Sequence, residues 1–76
     1  MIRVETIEKG EKLMIDISLV RDRLPFQLFQ LVDSEPFGVW MGGFKLVDGG
    51  VGLVLELKDG SKYWFFEEEL HSLEAQ

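Results

Sequence analysis

The chain has 76 residues, of which 14 are acidic and 8 basic, and its formal net charge is −6. This length has room for one domain, which excludes a catalytic domain beside a separate binding domain. The charge disfavours nucleic acid as a partner, and the absence of cysteine excludes disulfides and thiolate metal sites.

The first predicted elements are an N-terminal arm and a strand. Residues 1–10 mix charges with isolated apolar residues and are expected to form a lead-in arm, either mobile or paired as an edge strand. The single barrel domain is expected over residues 11–76. Apolar and polar residues alternate over residues 12–20, which predicts a half-buried strand. A long loop is expected to open at the charged triplet 21–23.

A short helical segment and a bent strand are predicted next. Apolar residues recur at helical spacing over residues 26–32, directly after Pro25, although an irregular apolar loop is the alternative. Residues 37–47 are rich in aromatic and β-branched side chains and predict a strand. Adjacent Gly42 and Gly43 inside it indicate a bulge or a sharp bend.

Two hairpins follow. The sequences at residues 48–50 (Asp-Gly-Gly) and 59–60 (Asp-Gly) are typical of hairpin turns. Residues 51–57 alternate strictly between apolar and other side chains, and residues 61–66 continue as the next strand. The two turns therefore predict a three-stranded meander.

A single 3-10 turn is predicted at residues 67–69, followed by a short closing strand at 71–74. The whole order predicts an all-β protein, a small SH3-like five-stranded barrel. It has one short helical turn in its long first loop and the 3-10 turn before its last strand. An OB-like barrel is the alternative.

Few residues suit catalysis or metal binding. His71 is the one histidine, and its neighbour Ser72 would point to the opposite face of a strand, so the two cannot form a catalytic pair locally. The glutamates at 67–69 lack the spacing of a calcium loop and are expected to form a solvated acidic rim. Glu56 is expected on an outer face without a second carboxylate. We therefore expect no enzymatic activity, no cofactor and no metal ion.

The clearest sign of a binding surface is an aromatic run. Residues 63–66 are Tyr-Trp-Phe-Phe in a predicted strand, so rings point to both faces while only one face can be the barrel interior. Exposed aromatic clusters mark interfaces, and coverage by the arm or by residues 26–32 is the open alternative. From residue 65 to 76 there are four carboxylates and no Lys or Arg. This acidity either steers a basic partner or keeps the domain soluble.

Three stretches resemble the signatures of one family. They are VRDRL at 20–24, GFKLVDGGVG at 43–52 and WFFEEEL at 64–70. In this order they look like the motifs of the PetP family, small cyanobacterial and red-algal proteins associated with the cytochrome bf complex. The resemblance covers residues 10–74.

The resemblance implies an SH3-like accessory subunit without redox chemistry of its own. It would bind the cytochrome bf complex peripherally, on the cytoplasmic (stromal) side of the thylakoid membrane, and modulate photosynthetic electron transport. Residues 25–41 are more aromatic than the family pattern, which leaves open a soluble interaction module of another cyanobacterial complex or a self-associating barrel, with a homodimer possible.

The expected partner is a protein, with neither nucleic acid nor a membrane span involved. The expected partner-binding residues are Arg21, Asp22, Arg23, Tyr63, Trp64, Phe65, Glu67 and Glu68. A structural network between residues 21–23 and the acidic turn is the alternative for the charged members. Phe66 and Leu70 are expected in the core.

Overall fold

The computed structural model describes residues 1–73, and within them the chain is mostly β structure. The strands are β1 (Glu11–Ile15), β2 (Phe37–Val47), β3 (Gly50–Glu56), β4 (Lys62–Phe65) and β5 (Leu70–Ser72). They form one antiparallel sheet in the order β4-β3-β2-β1-β5. No ladder joins β4 to β5 within the described residues, so the sheet is not closed. Its strand order and bent second strand nevertheless confirm the predicted small SH3-like class.

Two helices, rather than the single predicted turn, lie between β1 and β2. They are α1 (Ile17–Val20) and α2 (Phe26–Ser34). Residues 26–32 are therefore helical as predicted, and the predicted 3-10 turn lies at Glu67–Glu69. The predicted closing strand is present as β5, while residue 74 lies outside the described residues.

The strand predicted over residues 12–20 is wrong after Ile15. The carboxylate of Asp16 accepts hydrogen bonds from the backbone N–H of Ser18 at 3.1 Å and from its hydroxyl at 2.6 Å. This N-cap begins α1 and overrides the alternating pattern. As a result Leu19 is exposed while its neighbour Val20 is fully buried.

The glycine pair in β2 forms the predicted bulge. Trp40 pairs with Leu55 and Gly43 with Val54, so two residues of β2 have no partner position on β3. Gly42 has a φ of +98°, a conformation that L side chains rarely adopt, and the indole N–H of Trp40 donates to the carbonyl of Gly43 at 3.1 Å. The strand bends here, which curves the sheet around the core.

The turn between β2 and β3 confirms the first predicted hairpin. Asp48 and Gly49 have φ values of +46° and +80°. Positive φ at both central residues matches a type I′ turn, whose twist suits paired strands.

One hydrophobic core lies between the curved sheet and the helices. Its most deeply buried side chains are Leu13, Ile15, Val20, Val32, Leu53, Leu55, Phe65 and Leu70. Leu53 and Leu55 of β3 lie two positions apart and both belong to it, as expected for a strand with one face inside.

The N-terminal arm packs on this core and is neither of the two predicted alternatives. It contains a 3-10 turn at Val4–Thr6, and Ile2 and Ile7 are buried. The backbone N–H of Ile2 donates to the carbonyl of Glu67 at 3.1 Å, and that of Val4 donates to the Glu67 carboxylate at 2.7 Å. The arm therefore lies against the acidic turn, which we define as Glu67–Glu69.

Candidate partner-binding surface

The first and third signature stretches meet through Arg23 and Glu69. The Nε of Arg23 donates to one carboxylate oxygen of Glu69 at 2.7 Å, and its Nη2 donates to the other at 2.5 Å. The same Nη2 also donates to the carbonyl of Trp64 at 3.2 Å. Two parallel bonds between a guanidinium and a carboxylate fix both groups in orientation as well as in position.

The sequence predicted that Glu69 lies in a solvated acidic rim, and for this residue the prediction is wrong. It is 5% exposed, and its carboxylate also accepts the backbone N–H of Phe66 at 2.9 Å, which closes the 3-10 turn. Glu67 is half-buried beside the arm, and Glu68 is exposed. Consecutive glutamates point in different directions in so tight a turn, so only part of the run faces solvent.

The second signature stretch packs against aromatic rings of the third. Trp64 pairs with Val54 and so lies on the outer face of the sheet, where a Cβ on Gly52 would come within 3.1 Å of the Cβ of Trp64. A Cβ on Gly50 would come within 3.4 Å of the Phe66 ring. The glycines at 50 and 52 therefore leave room for both rings, which explains the GVG sequence of this strand.

The two rings and Arg23 form a compact stack. Trp64 and Phe66 meet edge to face with centroids 5.1 Å apart, and the guanidinium of Arg23 lies 4.0 Å from the Trp64 ring centre. A cation over an aromatic face is attracted by the ring quadrupole. Phe66, expected in the core, is half-buried in this outer stack, while Leu70 is buried as predicted. We call Arg23, Trp64, Phe66 and Glu69 the signature cluster.

The predicted partner-binding residues divide into supporting and accessible ones. Phe65 is fully buried, and the Arg23 side chain is turned inward towards Glu69. Both therefore support the surface from within. Arg23 nevertheless keeps 23% of its side chain exposed. The other predicted residues are exposed or half-buried; they are Arg21, Asp22, Tyr63, Trp64, Glu67 and Glu68. Of these, Arg21 lies over the ring of Phe29 at 5.6 Å, and Tyr63 stacks on Trp64 at 5.6 Å.

A family model described as "Cytochrome b6f, subunit Tsr0524-like" matches residues 10–71, a range that holds all three signature stretches. The chain belongs to this family. The resemblance to the PetP family is thereby confirmed. No curated protein and no solved structure matches the chain. The matched range begins at residue 10, so nearly all of the N-terminal arm lies outside it. The arm is therefore an addition that packs against the part of the chain shared with the family.

One exposed surface of this family member is not among the predicted partner-binding residues. Phe44, Leu46 and Val51 are exposed on the hairpin of β2 and β3, and we call them the hairpin patch. Leu46 pairs with Val51 across the strands, and Phe44 pairs with buried Leu53. Directly paired residues share a face, so the patch continues the core face beyond the core. Pairing the strands across the predicted turn at 48–50 would have revealed it.

His71 has a structural environment in this family member. Its Nδ1 lies 2.8 Å from the α-amino group of Met1, and its Nε2 lies 3.3 Å from the carboxylate of Asp16. The hydrogen bond from the Ser18 hydroxyl, followed by that from His71, lowers the pKa of Asp16 below its ordinary value of 3.8. The imidazole therefore links the arm to the cap of α1.

The described part of the chain holds no group of three His, Asp or Glu side chains placed to bind a metal ion. Across residues 1–73, none of the helices has the length and apolar character needed to cross a membrane.

Proposed function

We propose that this chain is a non-enzymatic accessory subunit of the cytochrome b6f complex. It binds peripherally on the cytoplasmic side of the thylakoid membrane and modulates photosynthetic electron transport. The observation that carries the proposal is the match of residues 10–71 to a family of cytochrome b6f subunits. A small rigid domain with an accessible aromatic and charged surface suits such a role, because it can bind without chemistry of its own.

The proposed contact surface consists of Arg21, Asp22, Tyr63, Trp64, Glu67 and Glu68, with Arg23 and Phe65 supporting it from inside. Trp64 and Tyr63 offer rings that stack on each other and lose little side-chain entropy on binding, since the signature cluster already holds Trp64. Asp22 and Glu68 add exposed charges, which steer encounter with a basic surface and set its salt dependence.

Affinity purification tests the proposal. A C-terminally tagged chain is expressed in a cyanobacterium lacking the untagged copy, the membranes are solubilised in mild detergent, and co-purified proteins are identified by mass spectrometry. Recovery of cytochrome b6f subunits is expected. Recovery of soluble proteins alone, or of the chain alone, would instead favour the soluble-module or self-associating alternative.

Charge-reversal variants test the contact surface. Asp22→Lys and Glu68→Lys change exposed residues, and Asp33→Lys makes the same charge change on the exposed end of α2 as a matched control. We expect the first two to reduce recovery of the complex and the third to leave it unchanged. Equal recovery for all three would refute the surface but not the family role.

The proposed modulation of electron transport has a separate test. The rate of cytochrome f re-reduction after a light flash is compared in cells with and without the chain. A changed rate, restored by the wild-type chain, is expected for a modulating subunit. An unchanged rate with intact binding would show a structural subunit instead.

A further inference from the structure

The hairpin patch is an apolar surface that the signature cluster does not use. Leu46 is 82% exposed, Phe44 51% and Val51 48%. Lys45 pairs with Gly52 and by alternation points to the opposite face, so it does not interrupt the patch. Adjoining apolar side chains exposed at the end of a core mark a site of contact.

A groove of about 370 Å³ joins the patch to the arm. Its lining residues are Val4, Phe44, Val51, Leu53 and Glu67. Glu67 is the one charged residue in this described lining, and the N–H of Val4 bonds to its Oε2 at 2.7 Å and holds the carboxylate in place. A carboxylate can accept several hydrogen bonds, so Glu67 keeps capacity for a cation from outside. The groove therefore offers apolar walls with a fixed negative charge at one side.

This combination selects among possible occupants. Lipid is disfavoured, because a membrane surface rich in anionic lipid repels a chain of net charge −6 whose groove carries a glutamate. A second copy is disfavoured because each copy would present the same acidic groove. Moreover, three partly exposed side chains supply far less than the ~800 Å² per partner of a stable dimer. A short peptide segment with an apolar side chain beside Lys or Arg matches both the apolar lining of the groove and the negative charge of Glu67.

Integral membrane proteins carry such segments mainly on the cytoplasmic side of the bilayer. Their cytoplasmic loops and helix ends near the bilayer are enriched in Lys and Arg. We infer that the groove at the hairpin patch binds a cytoplasmic loop or terminus of an integral membrane subunit. An apolar side chain of that segment would lie against Phe44 and Val51 and extend over Leu46, which pairs with Val51, and a neighbouring Lys or Arg would bind Glu67. This inference rests on the proposed function, since it takes the partner to be the membrane complex.

Binding measurements with the full chain and detergent-solubilised cytochrome b6f complex provide the first test. Leu46→Glu changes a side chain that is almost fully exposed, so the fold is retained, and Phe26→Glu makes the same type of change on α2, where Phe26 is 72% exposed. We expect at least about tenfold weaker binding for Leu46→Glu and unchanged binding for Phe26→Glu. Glu67→Gln keeps an acceptor for Val4 and is expected to weaken binding about threefold and to flatten its salt dependence.

Photocrosslinking identifies the occupant. The photoreactive amino acid p-benzoylphenylalanine replaces Leu46 in one variant and Phe26 in the control, and crosslinked peptides are sequenced by mass spectrometry. We expect position 46 to crosslink to a cytoplasmic segment with Lys or Arg close to the attachment point. Crosslinks to a second copy, to lipid or to a segment without nearby Lys or Arg would overturn the inference.

The two proposals fail separately. If the wild-type chain binds the complex and Leu46→Glu binds equally well, the groove assignment is wrong and the family role stands. If the wild-type chain binds no cytochrome b6f complex, the proposed function fails and the inference fails with it.

Discussion

The guanidinium of Arg23 and the carboxylate of Glu69 form a two-point ion pair across 46 positions of sequence. This pair joins the loop before α2 to the acidic turn before β5, and it places Arg23 against the ring of Trp64. Two of the three signature stretches are therefore held together by one side chain. The arginine and the glutamate hold the two segments together, while the residues that precede them in sequence, Asp22 and Glu68, face the solvent.

Loss of the Glu69 charge is expected to destabilise the fold. Glu69→Gln keeps the size of the side chain but leaves the largely buried guanidinium with a neutral acceptor, which costs about 2–3 kcal/mol for hydrogen bonds to a charged group. Urea unfolding measures this as a lower midpoint at unchanged slope. Arg21→Ala is the control, since Arg21 is exposed and its removal is expected to change stability by less than about 0.5 kcal/mol. Equal effects of the two variants would contradict the structural role of the pair.

A methyl group at Gly52 is expected to displace the Trp64 ring. Its Cβ would lie 3.1 Å from the Trp64 Cβ and 3.2 Å from a ring carbon, so Gly52→Ala should cost about 1–3 kcal/mol through overpacking. Gly43→Ala is the matched control on the same face, because its Cβ meets Val54 at an ordinary 3.5 Å. Thermal unfolding should show a drop in Tm of several degrees for the first variant alone. A Tm of Gly52→Ala equal to that of the wild type would contradict the close packing of Trp64 against Gly52.

A substitution at Gly49 in the hairpin turn tests the effect of backbone conformation without steric crowding. Gly49 has a φ of +80°, and a Cβ there would meet no atom within 4 Å. Gly49→Ala should therefore destabilise the chain by about 1 kcal/mol through conformation alone. The check is denaturant unfolding combined with an NMR spectrum showing intact β2–β3 pairing. An unchanged free energy of unfolding would mean that the turn tolerates an L residue at this position.

The acid limb of the stability curve should depend on Asp16. The pKa of Asp16 is lowered in the folded state, first by the Ser18 hydroxyl and then by His71. A lowered folded pKa means that the stabilisation is fully present above the unfolded value of about 3.8 and is lost as the pH falls through the folded pKa. Ser18→Ala is expected to raise the pKa of Asp16 towards 3.8, as measured by carbon-detected NMR titration.

Asp59 provides the internal control for that titration. Its pKa is lowered chiefly by the hydroxyl of Ser61, in the turn before β4. Ser61→Ala should therefore raise the pKa of Asp59 and leave that of Asp16 unchanged, while Ser18→Ala should do the reverse. A shift of both carboxyl groups in either variant would point to a global change rather than to the local hydrogen bonds.

The sheet was predictable where the pattern is local. Turn residues such as Asp48 and Gly49, and the alternation along β3, act over a few positions, and both hairpins follow from them. The strand predicted over 12–20 failed after Ile15 because a capping side chain, Asp16, competes with alternation, and alternation over so few residues does not exclude a helical turn.

The candidate surface was predictable only in part because side-chain direction depends on tertiary packing. The sequence places Trp64 and Phe65 side by side, but only the pairing of β4 with β3 decides that Phe65 is inside. The inward turn of Glu69 and the packing of Ile2 depend on contacts between distant segments, which no spacing rule encodes. The three signature stretches nevertheless led to the correct family. Two of them also contain the partners of the ion pair, Arg23 and Glu69.

The bond from Arg23 to the Trp64 carbonyl also affects solubility. β4 is the last strand on one side of the sheet, and a free strand edge can pair with the edge of another molecule and start aggregation. Arg23 occupies a backbone acceptor of this edge and places a charged group beside it. The arginine thus protects the chain from strand addition by its own copies, a benefit that would matter most before the domain reaches its complex.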